Sequence, residues 1–249
     1  MTDAVTPGVP LAAPLYKEIK RQLMDALTGG EWKPGEAIPA ERRLSERFGI
    51  SIGTVRKAID ELVAENILIR QQGRGTFVAT HTRDRLLFYF FHVVPESGAK
   101  AYPEVQFLSF ARGKADRTAA EKLSLAAGDP VFRMRNRLRL GGAPIIVDDI
   151  TVPAALFTGL TEAQFRDRAS TVYNLYQEAF GISVVRTSER LRATLADAEL
   201  ATLLDVARGA PLLQIRRVAQ TYNDVPVEYR VSHVDTAHHE YWAEIGRPG

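Results

Sequence analysis

Apolar residues recur at helical spacing from Leu15 onward. Leu15, Ile19 and Leu23 stand four apart, Tyr16 and Leu27 lie beside the stripe, and Pro14 suits the start of a helix. Gly29-Gly30 ends this helix, and Trp32-Lys33-Pro34-Gly35 reads as a turn. A second helix is predicted over about 40–48, with Leu44 and Phe48 inward and Gly49 as its left-handed stop. Ser51 is the N-cap of a third, whose apolar face is Val55, Ile59, Leu62 and Val63. Only Gly49 and Ile50 separate the two, the tight corner of a helix-turn-helix. Residues 67–71 and 76–78 are β-prone runs around Gln72-Gly73-Arg74-Gly75, which predicts a hairpin. Three helices and a hairpin make residues 14–78 a winged helix. Residues 1–13 read as a flexible tail and the polar run 79–85 as a linker.

From residue 86 to 249 the pattern alternates between strands and helices and contains an echo. Ala120-Glu121-Lys122-Leu123 leads to Gly128-Asp129-Pro130, a strand, a turn and Ala143-Pro144-Ile145-Ile146. Later, Ala198-Glu199-Leu200 leads to Gly209-Ala210-Pro211, a strand, a turn and Val225-Pro226-Val227-Glu228. Two such hairpins side by side form one antiparallel sheet. Val172, Leu175, Tyr176 and Phe180 mark a helix between them. The chain is therefore α+β, a winged helix-turn-helix followed by an antiparallel-sheet domain. In the run 132–140, Phe132, Met134, Leu138 and Leu140 face one way and Arg133, Arg135, Arg137 and Arg139 the other. Four like charges on one strand face repel unless an anion answers them. Asp148, Asp149, Glu228, solvent and a ligand are the candidates.

The 249 residues are 45% hydrophobic and 25% charged, which excludes collagen, a coiled coil and wholesale disorder. There is no cysteine, hence no disulfide, thiolate nucleophile or cysteine zinc site. The longest nearly unbroken apolar stretch, residues 86–94, falls far short of the ~20 residues of a membrane span. The first residues do not read as a secretory signal, so a soluble cytoplasmic protein without membrane attachment is expected. The five histidines show no metal-ligand spacing, and neither a metal nor a cofactor is expected. His238-His239 is expected at the surface, and residues 87–92, rich in aromatics, as a core strand.

The net charge of +2 says little, but its distribution says more. Residues 42–57 hold five basic side chains and one acid, and residues 66–78 add Arg70 and Arg74 with no acid. That is a small footprint for a polyanion. A recognition helix offers its first turn to the major groove, where Thr54 can donate to phosphate and Arg56 has the fork that fits guanine. Lys57 flanks the same side, Ser51 caps the helix, and Arg42 and Arg74 can hold the backbone to either side. Gly73 and Gly75 let the wing approach a groove closely.

Residues 14–78 resemble the GntR family of bacterial transcription regulators. The matching residues are Gly35-Glu36-Ala37-Ile38-Pro39-Ala40-Glu41-Arg42, Phe48-Gly49-Ile50-Ser51, Thr54-Val55-Arg56-Lys57-Ala58-Ile59 and Gln72-Gly73-Arg74-Gly75-Thr76-Phe77-Val78. The resemblance implies DNA binding as a homodimer on a short near-palindromic operator, with contacts from Arg42, Ser51, Thr54, Arg56 and Gly73. Ile52 departs from it, since the family often has arginine there.

Residues 86–249 look like the UTRA effector domain of the HutC-type subfamily, whose fold is similar to chorismate lyase. Arg137-Leu138-Arg139, Gly142-Ala143-Pro144, Thr171-Val172-Tyr173, Gly209-Ala210-Pro211 and Pro226-Val227-Glu228-Tyr229 carry the likeness. It implies that Arg137 and Arg139 hold an acidic group of a small metabolite, with Asp148 and Glu228 as polar partners and Thr171 and Tyr173 at the same site. A metabolite-released repressor is the leading expectation. An enzyme of lyase-like fold and an architectural DNA-binding protein without effector are the alternatives. No catalytic residue is expected, because no nucleophile, base or phosphate loop is apparent.

Overall fold

A computed structural model describes residues 14–82, 84, 89–97 and 100–243 of the chain. The tail expected over residues 1–13 and most of the expected linker after Thr82 lie outside the described residues. The chain divides into two compact units, Met1–Ala79 and Thr80–Gly249.

The first unit contains α1 (Leu15–Thr28), α2 (Glu41–Phe48) and α3 (Ile52–Ala64), then β1 (Leu68–Gln71) and β2 (Gly75–Val78). Its core is the apolar stripe of the three helices, with Ile19, Leu23, Leu44, Val55, Ile59 and Leu62 all buried. Gly49 ends α2 at φ 65°, and the Ser51 hydroxyl caps α3 by accepting from the Thr54 N–H. At the wing tip the Arg74 N–H donates to the Gln71 carbonyl at 3.0 Å, and Gly73 and Gly75 take positive φ. The turn expected over Trp32-Lys33-Pro34-Gly35 leads into a further pairing. Gly35 N–H donates to the Val78 carbonyl, Val78 N–H to Glu36 and Ile38 N–H to Thr76, each at 2.8–2.9 Å. This short extended stretch, bridged between Ala37 and Phe77, lies along the free edge of β2. Its run Gly-Glu-Ala-Ile-Pro has no alternation, so only the long-range pairing reveals it.

The second unit is built on a six-stranded antiparallel sheet in the order β4-β5-β6-β9-β8-β7. One half comprises β4 (Glu104–Lys114), α4 (Arg117–Leu123), β5 (Pro130–Leu140) and β6 (Ala143–Pro153). The other comprises β7 (Arg186–Leu195), α7 (Ala198–Leu204), β8 (Pro211–Gln220) and β9 (Pro226–Asp235). The echo is thus a strand–helix–strand–strand unit built twice, joined where β6 pairs with β9. The outer strands β4 and β7 escape the sequence pattern because as exposed edges they show weak alternation. Between the halves lie α5 (Glu162–Arg166) and α6 (Val172–Phe180).

The two faces of the sheet differ. One packs α4 and α7 against Val131, Val147 and Leu212. The other buries Phe132, Met134, Ile150 and Val152 beneath Phe157, Phe165 and Tyr176. Phe90 and Phe91 are buried, as a core role requires, but they precede rather than form a strand. The strand is β3 (Val93–Pro95), which pairs with β10 (His239–Tyr241), leaving His238 exposed and His239 half-buried. Ala79 and His81, polar-linker positions by sequence, are buried. His81 N–H donates to Gln177 of α6 at 2.9 Å, and its Nε2 accepts from the Val184 N–H at 2.9 Å. Among the described residues no helix is long and apolar enough to cross a membrane.

The corner between α2 and α3 depends on Gly49, where an added Cβ would meet nothing within 4 Å. Only backbone strain opposes a side chain there. Gly49→Ala is expected to lower stability by about 1–2 kcal/mol in urea unfolding, and Gly49→Asn by less. Equal midpoints for Gly49→Ala and the parent would show the left-handed corner to be strain-free.

Candidate functional site

In the first unit, a cleft opens between the start of α2, the first turn of α3 and the wing. Arg42, Ile52, Arg56, Gly73, Arg74 and Gly75 line it. Arg42 is open, its side chain 84% exposed with Glu46 at 3.2 Å. Arg56 is held more firmly, with its Nη2 2.8 Å and its Nε 2.9 Å from Oε2 of Glu41. Glu41 also takes Arg70 at 3.2 Å, and Arg70 reaches Asp60 at 2.5 Å. Exposed pairs of this kind add little stability. Here they fix the direction of the Arg56 fork. Ser51 and Thr54 share a hydroxyl–hydroxyl hydrogen bond of 2.9 Å at the helix start. The Arg74 guanidinium lies 5.7 Å from the centre of the Phe77 ring. Lys57 stands apart from this group, with Nζ 4.1 Å from the centre of the Tyr16 ring on α1.

In the second unit, a cavity of about 470 Å³ lies over the sheet face opposite α4 and α7. One end is polar, formed by Asn136, Asp148, Arg168, Thr171, Arg230 and Ser232. The other is apolar, formed by Phe91, Leu138, Ile146 and Ile215. Asn136 pairs with Asp148, Asp148 with Ser232, and Ser232 with Ile215, so one row across four strands makes part of the floor. The next row sets Arg230 directly opposite Arg217.

Two like charges side by side require counter-charges, and both are supplied. Arg217 pairs with Glu189 at 2.5 Å. Arg230 takes Glu228 at 2.9 and 3.0 Å and Asp148 at 3.2 Å. Glu228 is fully buried beneath the cavity and also accepts from the hydroxyls of Tyr173 at 3.2 Å and Tyr176 at 2.8 Å. Burial and the neighbouring Glu228 charge push the Tyr173 phenol up to about 12, and Tyr176 well above its ordinary value. Both therefore stay neutral donors at physiological pH.

Arg168 differs from these two. Among the described residues it forms no ion pair, and its buried Nε has no hydrogen-bond partner, while Nη1 donates to the Phe165 carbonyl. Burial lowers its pKa below the ordinary guanidinium range. Thr171 begins α6 by accepting from the Asn174 N–H at 3.1 Å. An anion at this end of the cavity would meet both the Arg168 guanidinium and the N-terminus of α6. The Oδ1 of Asn136 (2% exposed) also lacks a hydrogen-bond partner among the described residues.

Of the sequence-selected effector residues, Asp148, Thr171 and Tyr173 come together in this cavity and Glu228 supports it from below. Arg137 and Arg139 do not. They lie on the opposite face of the sheet, where Arg137 binds Gln106 and the Leu203 carbonyl and Arg139 binds the Gly142 carbonyl. Their neighbours Arg133 and Arg135 are answered by Asp116 and by Asp149 with Glu199. The arginine strand is an internal pairing ladder. Sequence reading passed over Arg168, Arg217, Arg230 and Asn136. The last was detectable, as the one polar residue on the apolar side of the 132–140 alternation. Glu228→Leu, which leaves Arg230 with Asp148 alone, is expected to cost about 3 kcal/mol in chemical denaturation.

Comparisons with known proteins assign a family model to each of the two units. Residues 15–78 match the bacterial regulatory proteins of the gntR family, and residues 99–240 match the UTRA domain. The "Probable fructoselysine utilization operon transcriptional repressor" of Escherichia coli (strain K12) is 30% identical over 219 residues, 86% of this chain and 87% of that one. The histidine utilization repressor of Pseudomonas putida is 29% identical over 227 residues, covering 91% and 90%. Among solved structures, a ligand-binding domain from Bordetella bronchiseptica superposes with a TM-score of 0.60 at 34% identity, covering 64% of this chain and 99% of that one. With its winged helix-turn-helix ahead of a UTRA domain, the chain belongs to the GntR family of bacterial regulatory proteins.

Proposed function

We propose that this protein is a cytoplasmic, ligand-responsive repressor that binds a near-palindromic operator as a homodimer and releases it when a small acidic metabolite enters the second unit. The observation that carries the reading is the pairing of two features in one chain. One is an exposed cationic cleft at the start of a helix, and the other is a buried cavity with an unpaired guanidinium. Each cleft offers few base contacts, so a single copy binds weakly. Two tethered copies gain through effective concentration, and a ligand that disturbs their spacing removes that gain. In this reading Arg42, Ser51, Thr54, Arg56, Gly73, Arg74 and Gly75 meet the duplex, while Lys57 braces α3 on α1.

The ligand's acidic group belongs at Arg168 and Thr171, and its body against Phe91, Leu138 and Ile215. A route for the response runs through His81, two residues past Ala79. Its ring packs 5.8 Å from that of Tyr173, and its backbone is tied to Gln177 on the same helix. A ligand that shifts the first turn of α6 therefore moves the anchored end of the chain that leads from the DNA reader. No cofactor or catalytic step is part of the reading.

Fluorescence anisotropy on duplexes from the protein's own promoter tests this. Arg56→Ala is expected to weaken binding by about 1–3 kcal/mol, or roughly 5–150-fold. With an inducing metabolite in hand, Arg168→Ala should lower its affinity about tenfold or more while operator binding persists. The double variant Arg137→Ala/Arg139→Ala should still respond. Loss of induction in the double variant, with Arg168→Ala unaffected, would return the effector site to the arginine strand.

A further inference from the structure

The first turn of α3 carries one feature that phosphate binding does not use. Ile52, the first residue of the helix, is 41% exposed, whereas Val55 and Ile59 of the same helix are buried. It lines the cleft together with Arg42, Arg56 and Arg74. A hydrocarbon among cations does nothing for a phosphate backbone and costs solvation energy where it stands.

The next residue, Gly53, is equally unexplained from within. It lies in ordinary helical backbone, where glycine is about 1 kcal/mol worse than alanine. An added Cβ would meet only the Ser51 Oγ, at an ordinary 3.9 Å. Among the described residues nothing excludes a side chain there, so the bare Cα suits close approach by something outside. It stands directly beside the exposed isoleucine in the first turn of the helix. The polar groups around it are already engaged, Ser51 with Thr54 and Arg56 with Glu41.

Resting on the DNA-binding reading above, we propose that Ile52 and Gly53 read the methyl group of a thymine in the major groove. Of the base edges displayed there, only thymine carries a methyl group. Ile52 supplies the hydrocarbon contact, Gly53 lets the base edge approach the helix, and Arg56 addresses a neighbouring position.

The test uses the full chain. Bound duplexes are selected from a random library, and each thymine of the recovered half-site is then replaced in turn by deoxyuridine, which removes the methyl alone. At one position the replacement should weaken binding about fourfold per half-site. Ile52→Ala should bind the thymine and deoxyuridine duplexes equally, and Gly53→Ala should lose the same discrimination, both with unchanged circular dichroism. Ile52→Arg should shift the selected base toward guanine. The inference is overturned if the parent protein tolerates deoxyuridine at every thymine, or if Ile52→Ala still discriminates. Either result leaves operator binding itself intact. Failure to recover any bound duplex would overturn the DNA-binding reading along with it.

Discussion

The buried carboxylate of Glu228 accepts four hydrogen bonds, from the hydroxyls of Tyr173 and Tyr176 and from two nitrogens of Arg230. Its donors come from two elements, so it fastens α6 to the centre of the sheet. A charge with no access to water must be answered in full, and the geometry leaves little freedom in how. Arg230 therefore lies flat between Glu228 and Asp148, and Tyr173 stands at the cavity with its hydroxyl turned beneath it. Tyr173 in turn meets Phe90 edge-on at 5.2 Å and His81 at 5.8 Å. The cavity, the start of α6 and the entry of the chain into the second unit share this one support.

The DNA-facing unit applies the same principle where water is present. Glu41 holds Arg56 and Arg70, but in solvent, where the pairing is cheap to break. A pairing of that strength leaves a guanidinium free to change partners. In the second unit Arg217 and Arg230 are largely buried beside their acids, while Arg168 forms no ion pair among the described residues.

Much of the fold is legible in the one-dimensional pattern. The three-helix stripe, the Gly49 corner, the Ser51 cap and the wing glycines are local features, each decided by a few neighbouring residues. The twofold echo around the Gly-x-Pro pairs is enough to pair β5 with β6 and β8 with β9. The edge strands β4 and β7 and the short extended stretch beside β2 were not legible, because an exposed or irregular strand is defined by its partner rather than by its own alternation.

The cavity shows the same division more sharply. Alternation in 132–140 assigned four arginines to one face of a strand and apolar residues to the other. Which face carries the cavity depended on where α6 packs, and α6 packs on the apolar side. In the fold Arg133 and Arg135 meet the acids Asp116, Asp149 and Glu199, while Arg137 and Arg139 meet neutral oxygens. The arginines at the cavity, Arg168, Arg217 and Arg230, lie before α6 and on β8 and β9, in separate parts of the sequence. By itself the sequence determined the element types, the winged helix and the residues that turn its corners, since these rest on interactions within one or two turns. Only the tertiary structure decided which charges are spent on one another and which remain for a ligand, because ion pairing and burial are properties of distance in space.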